Sequence, residues 1–199
     1  MSASNTHFFL NWAKERVDEM DAALASFEAK AEEVGADLRA RANHAIAELR
    51  KSRDEFKETV KKQATANEAA WATVKTQLDA DWARFQSDVQ KYVDGFGEQI
   101  KQQQTTFKLQ GDAQLKAWRE AADKFNAAAA EFAAERRVEI DAAVARMKAE
   151  AATADEKLEK LHKAGTESWS VLTAALSETR GVFDRANQLA REAFKKAAA

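Results

Sequence analysis

Residues 71–100 read WATVKTQLDADWARFQSDVQKYVDGFGEQI, and this stretch decides the fold class. Its large apolar side chains recur at steps of three and four residues: Trp71, Val74, Leu78, Trp82, Phe85, Val89, Val93, Phe96 and Ile100. Such steps keep the side chains on one face of an α-helix, whereas a half-buried β-strand alternates at every second residue. The stretch therefore predicts a long amphipathic helix.

The apolar face continues beyond this stretch at a spacing of eleven residues. Eleven residues over three turns is about 3.67 residues per turn, so the face runs nearly straight along a helix. One row consists of Phe27, Leu38, Leu49, Val60, Trp71, Trp82 and Val93, and a second consists of Val74, Phe85, Phe96, Phe107 and Trp118.

The C-terminal part of the chain changes its period. Heptad spacing links Ile140, Val144, Met147, Ala151, Ala154, Leu158 and Leu161, and steps of eleven then lead to Leu172, Phe183 and Phe194. Heptads favour pairing of helices as a coiled coil. We call all these rows together the apolar stripe. The stripe predicts an all-α protein of very long helices with hendecad and heptad repeats, packed as an elongated bundle or coiled coil.

Few residues interrupt the predicted helices, because the 199-residue chain has no proline and only six glycines. We expect residues 1–199 to form one elongated helical unit. Gly95 and Gly97 lie near its midpoint: either the helix continues through them, or a hairpin turn or hinge at 94–98 folds two halves together, which their position favours. A second break is expected near Gly165, with Thr166 capping the next helix.

Composition excludes several classes of protein. The net charge is −2, and 32% of the residues are charged with both signs interspersed, so nucleic-acid binding is not expected. No apolar stretch approaches the roughly 20 residues that span a bilayer. The absence of cysteine excludes disulfides and thiol chemistry and fits a reducing compartment. These features predict a cytoplasmic protein.

No catalytic, cofactor-binding or metal-binding residues are predicted. Glu159 and His162 have the Glu-x-x-His spacing of a carboxylate-bridged metal site, but the second such pair is missing. Gly95-Phe96-Gly97 begins like a dinucleotide-binding loop, yet no strand precedes it and Ile100 replaces its third glycine. Since the apolar stripe offers no inward carboxylates or histidines, we expect no enzymatic activity.

The rows of eleven resemble the amphipathic repeats of exchangeable apolipoproteins. The small, alanine-rich, cysteine-free chain is similar in style to bacterial phasins, which coat polyester granules. Apolipoproteins usually punctuate their repeats with proline, which this chain lacks, and the chain is more charged than phasins. The resemblance implies amphipathic helices that lie on a lipid or polymer surface, and it carries over no functional residue.

Two functions follow from the stripe. The first is a structural or interaction protein that self-associates through the stripe as a homo-oligomeric scaffold or assembly subunit. The alternative is a coat in which the stripe lies on a lipid or polymer-granule surface, or a related stress-protective helical protein. Both predict that something apolar covers the stripe aromatics. They differ in whether that cover is another helix or a surface.

Overall fold

The computed structural model describes the backbone of residues 3–64, 68–96 and 100–199 and the side chains of 8–64, 70–96 and 102–199. Across these residues the chain forms helices and no strand. The six helices are α1 (Ala3–Ala31), α2 (Ala36–Gln63), α3 (Glu68–Phe96), α4 (Ile100–Ala129), α5 (Ala134–Ala164) and α6 (Trp169–Ala198). The prediction of an all-α protein is confirmed, as expected for a chain rich in strong helix formers and free of proline.

The helices are shorter than the stripe predicts. Each contains 28–31 residues and is therefore about 45 Å long. The first row of eleven, from Phe27 to Val93, passes through α1, α2 and α3 instead of following one rod. The physical reason is that a single rod would leave its apolar face in water, whereas folding back lets each helix cover the face of its neighbours.

Two helix ends coincide with predicted breaks. At the end of α5, Gly165 has φ 66° and ψ 1°, the left-handed conformation that glycine adopts at little cost. The next helix starts at Trp169, and its N-cap residue is Ser168. The expected N-cap residue was Thr166. Near the midpoint, α3 ends at Phe96 and α4 begins at Ile100. The turn predicted at 94–98 lies partly outside the described residues.

Two further turns were not predicted. In the turn at 32–35, Arg39 Nη2 donates to the backbone carbonyls of Glu32 (2.8 Å) and Val34 (3.3 Å), so a side chain stabilises the reversal. The turn at 130–133 has the sequence Ala-Glu-Phe-Ala, which contains neither glycine nor proline. Its Phe132 ring packs against Phe194 with 5.9 Å between centroids. Tertiary packing, and not a breaker residue, therefore sets this turn.

The helices form two units of three. Helices α1, α2 and α3 form the first unit and α4, α5 and α6 the second. In the first, Phe9 packs on Trp71 and Phe27 on Tyr92, so α1 and α3 run parallel, and α2 runs back between them. In the second, Trp118 packs on Phe183, and α4 and α6 are again parallel. The two halves thus share one up-down-up topology.

The halves also match in sequence without a gap. Equivalent positions lie 98 residues apart, and α2 and α5 begin at equivalent residues. Identical aromatic residues occupy five of the pairs: Phe9 and Phe107, Phe27 and Phe125, Trp71 and Trp169, Phe85 and Phe183, and Phe96 and Phe194. The fold is therefore an internal repeat of a three-helix unit, a longer period than the eleven-residue rows.

The units dock through antiparallel helices α1 and α4. Phe8 stacks on Phe125 at 4.5 Å between centroids, and at the other end Ser26 Oγ lies 2.6 Å from Thr106 Oγ1. Since Phe125 and Thr106 are equivalent to Phe27 and Phe8, the contact is nearly reciprocal, as in a two-fold-symmetric dimer. Helix α6 also packs on α1, and α1 therefore lies at the centre of the bundle.

Candidate functional site

The apolar stripe forms the interior of the single chain. Half-buried members are Val60, Val74, Phe96 and Leu161, and Ile100 has its side chain outside the described residues. Buried members are Phe27, Leu49, Trp71, Leu78, Trp82, Phe85, Val89, Val93, Phe107, Trp118, Ile140, Val144, Met147, Ala151, Ala154, Leu158, Leu172, Phe183 and Phe194. The chain's own helices therefore supply the cover that the stripe needs.

Leu38 departs from the predicted stripe. It is 46% exposed and lies in the first turn of α2, just after Gly35. Its equivalent in the second unit is Arg136, so this position faces outward in both units. The eleven-residue spacing includes Leu38 although its side chain is exposed. The turn at 32–35 changes the direction of the chain but leaves the spacing in the sequence unchanged.

The centre of the bundle contains an ionic cluster formed by Glu15, Arg16, Glu19, Arg180 and Asp184. Arg16 makes a bidentate pair with Asp184, at 2.8 and 2.6 Å, and its Nη1 also donates to Glu15 Oε2 at 2.9 Å. Arg180 makes a second bidentate pair with Glu19, at 2.6 and 3.2 Å. All but Asp184 are buried. The cluster therefore joins α1 of the first unit to α6 of the second.

Two neutral side chains complete the cluster from α4 and α6. Gln114 Nε2 donates to Glu19 Oε2 at 2.9 Å and to the backbone carbonyl of Leu176 at 3.1 Å. Thr179 Oγ1 donates to Gln114 Oε1 at 2.6 Å. Glu19 thus accepts three hydrogen bonds at a position that is only 1% exposed. These hydrogen bonds offset the loss of hydration at the buried Glu19 carboxyl group.

Glu15 differs from the other carboxylates. Burial raises its pKa from 4.5 to about 8, and the Arg16 guanidinium only partly opposes this shift. The charge balance explains the direction: Arg16 is matched by Asp184 and Arg180 by Glu19, so an ionised Glu15 would add an unmatched charge inside the bundle. Since Glu15 is 0% exposed, no substrate reaches its carboxyl group. Its carboxyl group is therefore not an accessible acid.

Replacing Glu15 with glutamine is expected to change how stability depends on pH. A folded-state pKa above the unfolded one stabilises the fold fully below about pH 4.5, and this contribution is lost as pH rises through about 8. Glutamine mimics the protonated carboxyl group, so Glu15→Gln should match the natural protein at pH 5 and exceed it at pH 9 by about 2–4 kcal/mol. Urea unfolding at both pH values measures the difference. An equal difference at pH 5 and pH 9 would mean that Glu15 is ionised throughout.

The sequence contained a signal for this cluster that the stripe did not use. The rows of eleven start at Phe27, whereas Trp12, Glu15, Glu19 and Ala23 are separated by three, four and four residues. This spacing places both glutamates on the face of α1 that carries Trp12. The expectation concerned only the stripe, which begins at Phe27, and the buried carboxyl groups of Glu15 and Glu19 lie before it on α1.

The ionic cluster is a difference between the two units. Glu15 is equivalent to Ala113, and Arg180 is equivalent to Trp82. The two positions of the second pair also meet in space, since the Arg180 guanidinium lies 4.6 Å from the centroid of Trp82. A cation–π contact of this kind helps to stabilise a buried guanidinium. The two units therefore differ at this position, and the two different side chains contact each other across the interface.

Two clefts lie between α3 and α6, one on each side of the Trp82–Arg180 contact. The first cleft has a volume of about 410 Å³, and α4 contributes Gln110 to it. The second cleft has a volume of about 350 Å³, and α1 contributes Phe9 and Trp12 to it. Both volumes lie within the usual range of small-molecule sites.

In the part of the chain that the structure describes, no three or more His, Cys, Asp or Glu side chains are grouped so that they could hold a metal ion. Within the same residues, no helix combines the length and the apolar character that crossing a membrane requires.

Comparisons of the chain with protein families, with curated proteins and with solved structures find no match.

Proposed function

We propose that this protein is a non-enzymatic amphipathic coat, which opens between its two units and lays its helices on a lipid or polymer surface. The observation that carries the proposal is the position of the ionic cluster. It lies in the interface between the units, among aromatic residues that would face the surface after opening. The proposal assigns the apolar stripe to surface binding and the closed bundle to the free protein.

The energetics of the unit interface support opening. A buried ion pair adds little net stability compared with apolar packing, because its attraction is offset by the loss of hydration. On separation, Glu19 and Arg180 regain water, whereas Phe8, Phe125 and Phe194 lose their mutual cover. In water the cost of exposing these rings keeps the bundle closed. On an apolar surface the rings are covered again, and long basic side chains can reach back to water.

The outer surface of the closed bundle also favours this proposal. Among the described side chains, the exposed large hydrophobic residues are distributed over α2, α4, α5 and α6, and they are Leu38, Leu109, Val138, Val171 and Leu189. Singly exposed apolar residues are normal for soluble proteins and do not form a docking site. Binding to an apolar surface therefore requires the buried stripe. In the open form, the rows of eleven would align along one face of the helices.

A reversible cross-link between the units tests the proposal. Ser26 and Thr106 have their oxygen atoms 2.6 Å apart, and the chain has no native cysteine. Cysteines at both positions should form a disulfide that joins α1 to α4. We expect the oxidised Ser26→Cys, Thr106→Cys protein to bind phosphatidylcholine vesicles or polyester particles at least tenfold less than the reduced protein. Co-sedimentation measures the bound fraction.

The single Ser26→Cys variant is the control, since the same oxidant cannot join its units. It should bind equally before and after oxidation. If the oxidised double variant binds as well as the reduced one, the bundle does not open between α1 and α4. Absence of binding by the reduced protein would reject the coat itself.

A self-associating scaffold is the second candidate, and the reciprocal docking of the units supports it. Because α1 and α4 pair almost symmetrically, the first unit of one chain can dock on the second unit of another chain and form an exchanged dimer. This version of the homo-oligomer uses the same stripe and the same ionic cluster. Light scattering would detect a mass that doubles as the protein concentration rises.

We further propose a cytoplasmic location, which the cysteine-free composition supports.

A further inference from the structure

We propose that the first cleft binds a small neutral aromatic molecule that carries both a hydrogen-bond donor and a hydrogen-bond acceptor. The site lies between α3 and α6 and includes Gln110 of α4. This inference concerns the closed bundle and does not depend on surface binding. It rests on the walls of the cleft, on two unpartnered polar atoms and on a comparison between the two units.

The walls of the first cleft favour an aromatic, uncharged ligand. Trp82, Phe85 and Trp169 line it, and aromatic rings pack well against other aromatic rings. Its charged residues are Glu19 and Arg180, which are paired with each other at 2.6 Å. A charged ligand would therefore find no unpaired opposite charge, and it would lose hydration on entering.

Two buried polar atoms define the hydrogen bonds that a ligand would make. Gln110 is 5% exposed, and its Oε1 has no hydrogen-bond partner among the residues that the structure describes. Trp169 is also 5% exposed, and its Nε1 donor lacks a partner as well. Unpartnered buried groups are costly, and a ligand in the first cleft could pair with these two. The indole N–H groups of Trp12 and Trp71 in the second cleft also lack partners among the described residues, so the difference between the clefts lies in the space available. The Gln110 amide turns about a soft terminal torsion and would accept from a ligand donor, while the Trp169 N–H would donate to a ligand acceptor.

The second cleft, at the equivalent position of the repeat, shows what the first cleft lacks. The two clefts are equivalent, since Trp71 and Lys75 of the second correspond to Trp169 and Thr173 of the first. In the second cleft the position of Gln110 is taken by Trp12, whose ring lies 4.7 Å from Lys75 Nζ. The second cleft thus contains an aromatic ring and a cation that the chain itself supplies. In the first cleft the chain supplies a shorter amide and a hydroxyl at these positions, which leave room for the ring of a ligand.

Benzamide is a suitable probe, because it is neutral, aromatic and has both a donor and an acceptor. The chain has five tryptophans, so indole N–H signals can be followed by two-dimensional NMR and assigned with Trp→Phe variants. We expect benzamide to shift the Trp169 signal and leave the equivalent Trp71 signal in place. For a ligand of so few atoms, the dissociation constant should be on the order of 1 mM.

Related molecules test the chemical class. Benzoate has the same shape with a charge, toluene has the ring without polar groups, and cyclohexanecarboxamide has the amide without the ring. Each should bind at least tenfold more weakly than benzamide. Equal binding of benzoate would overturn the requirement for neutrality, and equal binding of toluene would overturn the two hydrogen bonds. Equal binding of cyclohexanecarboxamide would overturn the aromatic requirement.

A substitution taken from the equivalent position of the other unit tests where benzamide binds. Thr173→Lys installs the lysine that stands at the equivalent position of the second cleft, and Thr173 is only half-buried, so the helix should tolerate it. It should weaken benzamide binding at least tenfold. Thr73→Lys makes the same change at an exposed position of α3 that lines neither cleft, and should leave binding unchanged. Gln110→Leu, which keeps the size but removes the acceptor, should weaken binding several-fold.

The proposal is overturned if benzamide leaves the Trp169 signal unmoved, or if Thr173→Lys binds it like the natural protein. A shift of Trp71 in place of Trp169 would assign binding to the second cleft and would also overturn it. Circular dichroism of each variant establishes that the helices are intact. These outcomes are independent of vesicle or particle binding, so the ligand site and the coat can fail separately.

Discussion

Replacing Arg180 with methionine is expected to lower the free energy of unfolding by about 3–5 kcal/mol. The variant leaves the Glu19 carboxyl group at a position that is 1% exposed, without the guanidinium that pairs with it at 2.6 Å. An unpaired buried charge is far more costly than a missing apolar contact. Urea unfolding followed by circular dichroism at pH 7 measures the loss.

Two comparison variants separate the cost of breaking the buried pair from the cost of removing a positive charge anywhere in the chain. Lys157→Met breaks a pair with Glu178 in which both side chains are largely exposed, and it should cost less than about 1 kcal/mol. Combining Arg180→Met with Glu19→Gln removes both charges and should recover much of the stability. If Arg180→Met alone cost no more than Lys157→Met, the ionic cluster would be hydrated and the units would not be closed around it.

Truncating Phe183 to alanine is expected to lower the free energy of unfolding by about 3–5 kcal/mol as well. Phe183 is 1% exposed and lies against Trp118, with 5.6 Å between ring centroids. Alanine would leave a cavity between α4 and α6 that the surrounding helices cannot fully close. Thermal and urea unfolding at several protein concentrations measure the loss and show whether the stripe is covered within one chain.

The control for this truncation is Val138→Ala, at a residue that is 64% exposed, where a change within about 0.5 kcal/mol is expected. A stripe covered by a second chain would make the midpoint of unfolding depend on protein concentration. A stripe that awaits a surface would make Phe183→Ala almost neutral in the free protein. Either result would contradict the closed bundle.

Several features of the fold follow from the sequence alone because they are local. Steps of three and four residues between Trp71 and Ile100 require a helix, and the absence of proline leaves little else for the chain to form. Gly165 marks a helix end, since its left-handed conformation is one that glycine adopts freely. Among the described side chains, the stripe residues are buried or half-buried, with Leu38 as the exception.

The repeat of 98 residues is also present in the sequence, although the rows of eleven obscured it. Trp71 and Trp169, like Phe85 and Phe183, are found by comparing one half of the chain with the other. A comparison restricted to neighbouring turns of one helix cannot find them. A comparison of the two halves predicts two three-helix units and an interface between them.

Only the tertiary structure decided where the chain turns back and which polar groups it buries. The turn at 130–133 has no breaker residue and depends on Phe132 meeting Phe194, which lies at the far end of α6. Glu19 finds its partner 161 residues away in Arg180. Helix propensity and periodicity act over a few residues, whereas burial and ion pairing depend on which faces meet. The sequence therefore determined the helices and their apolar faces, and the packing of the two units determined the ionic cluster and the clefts.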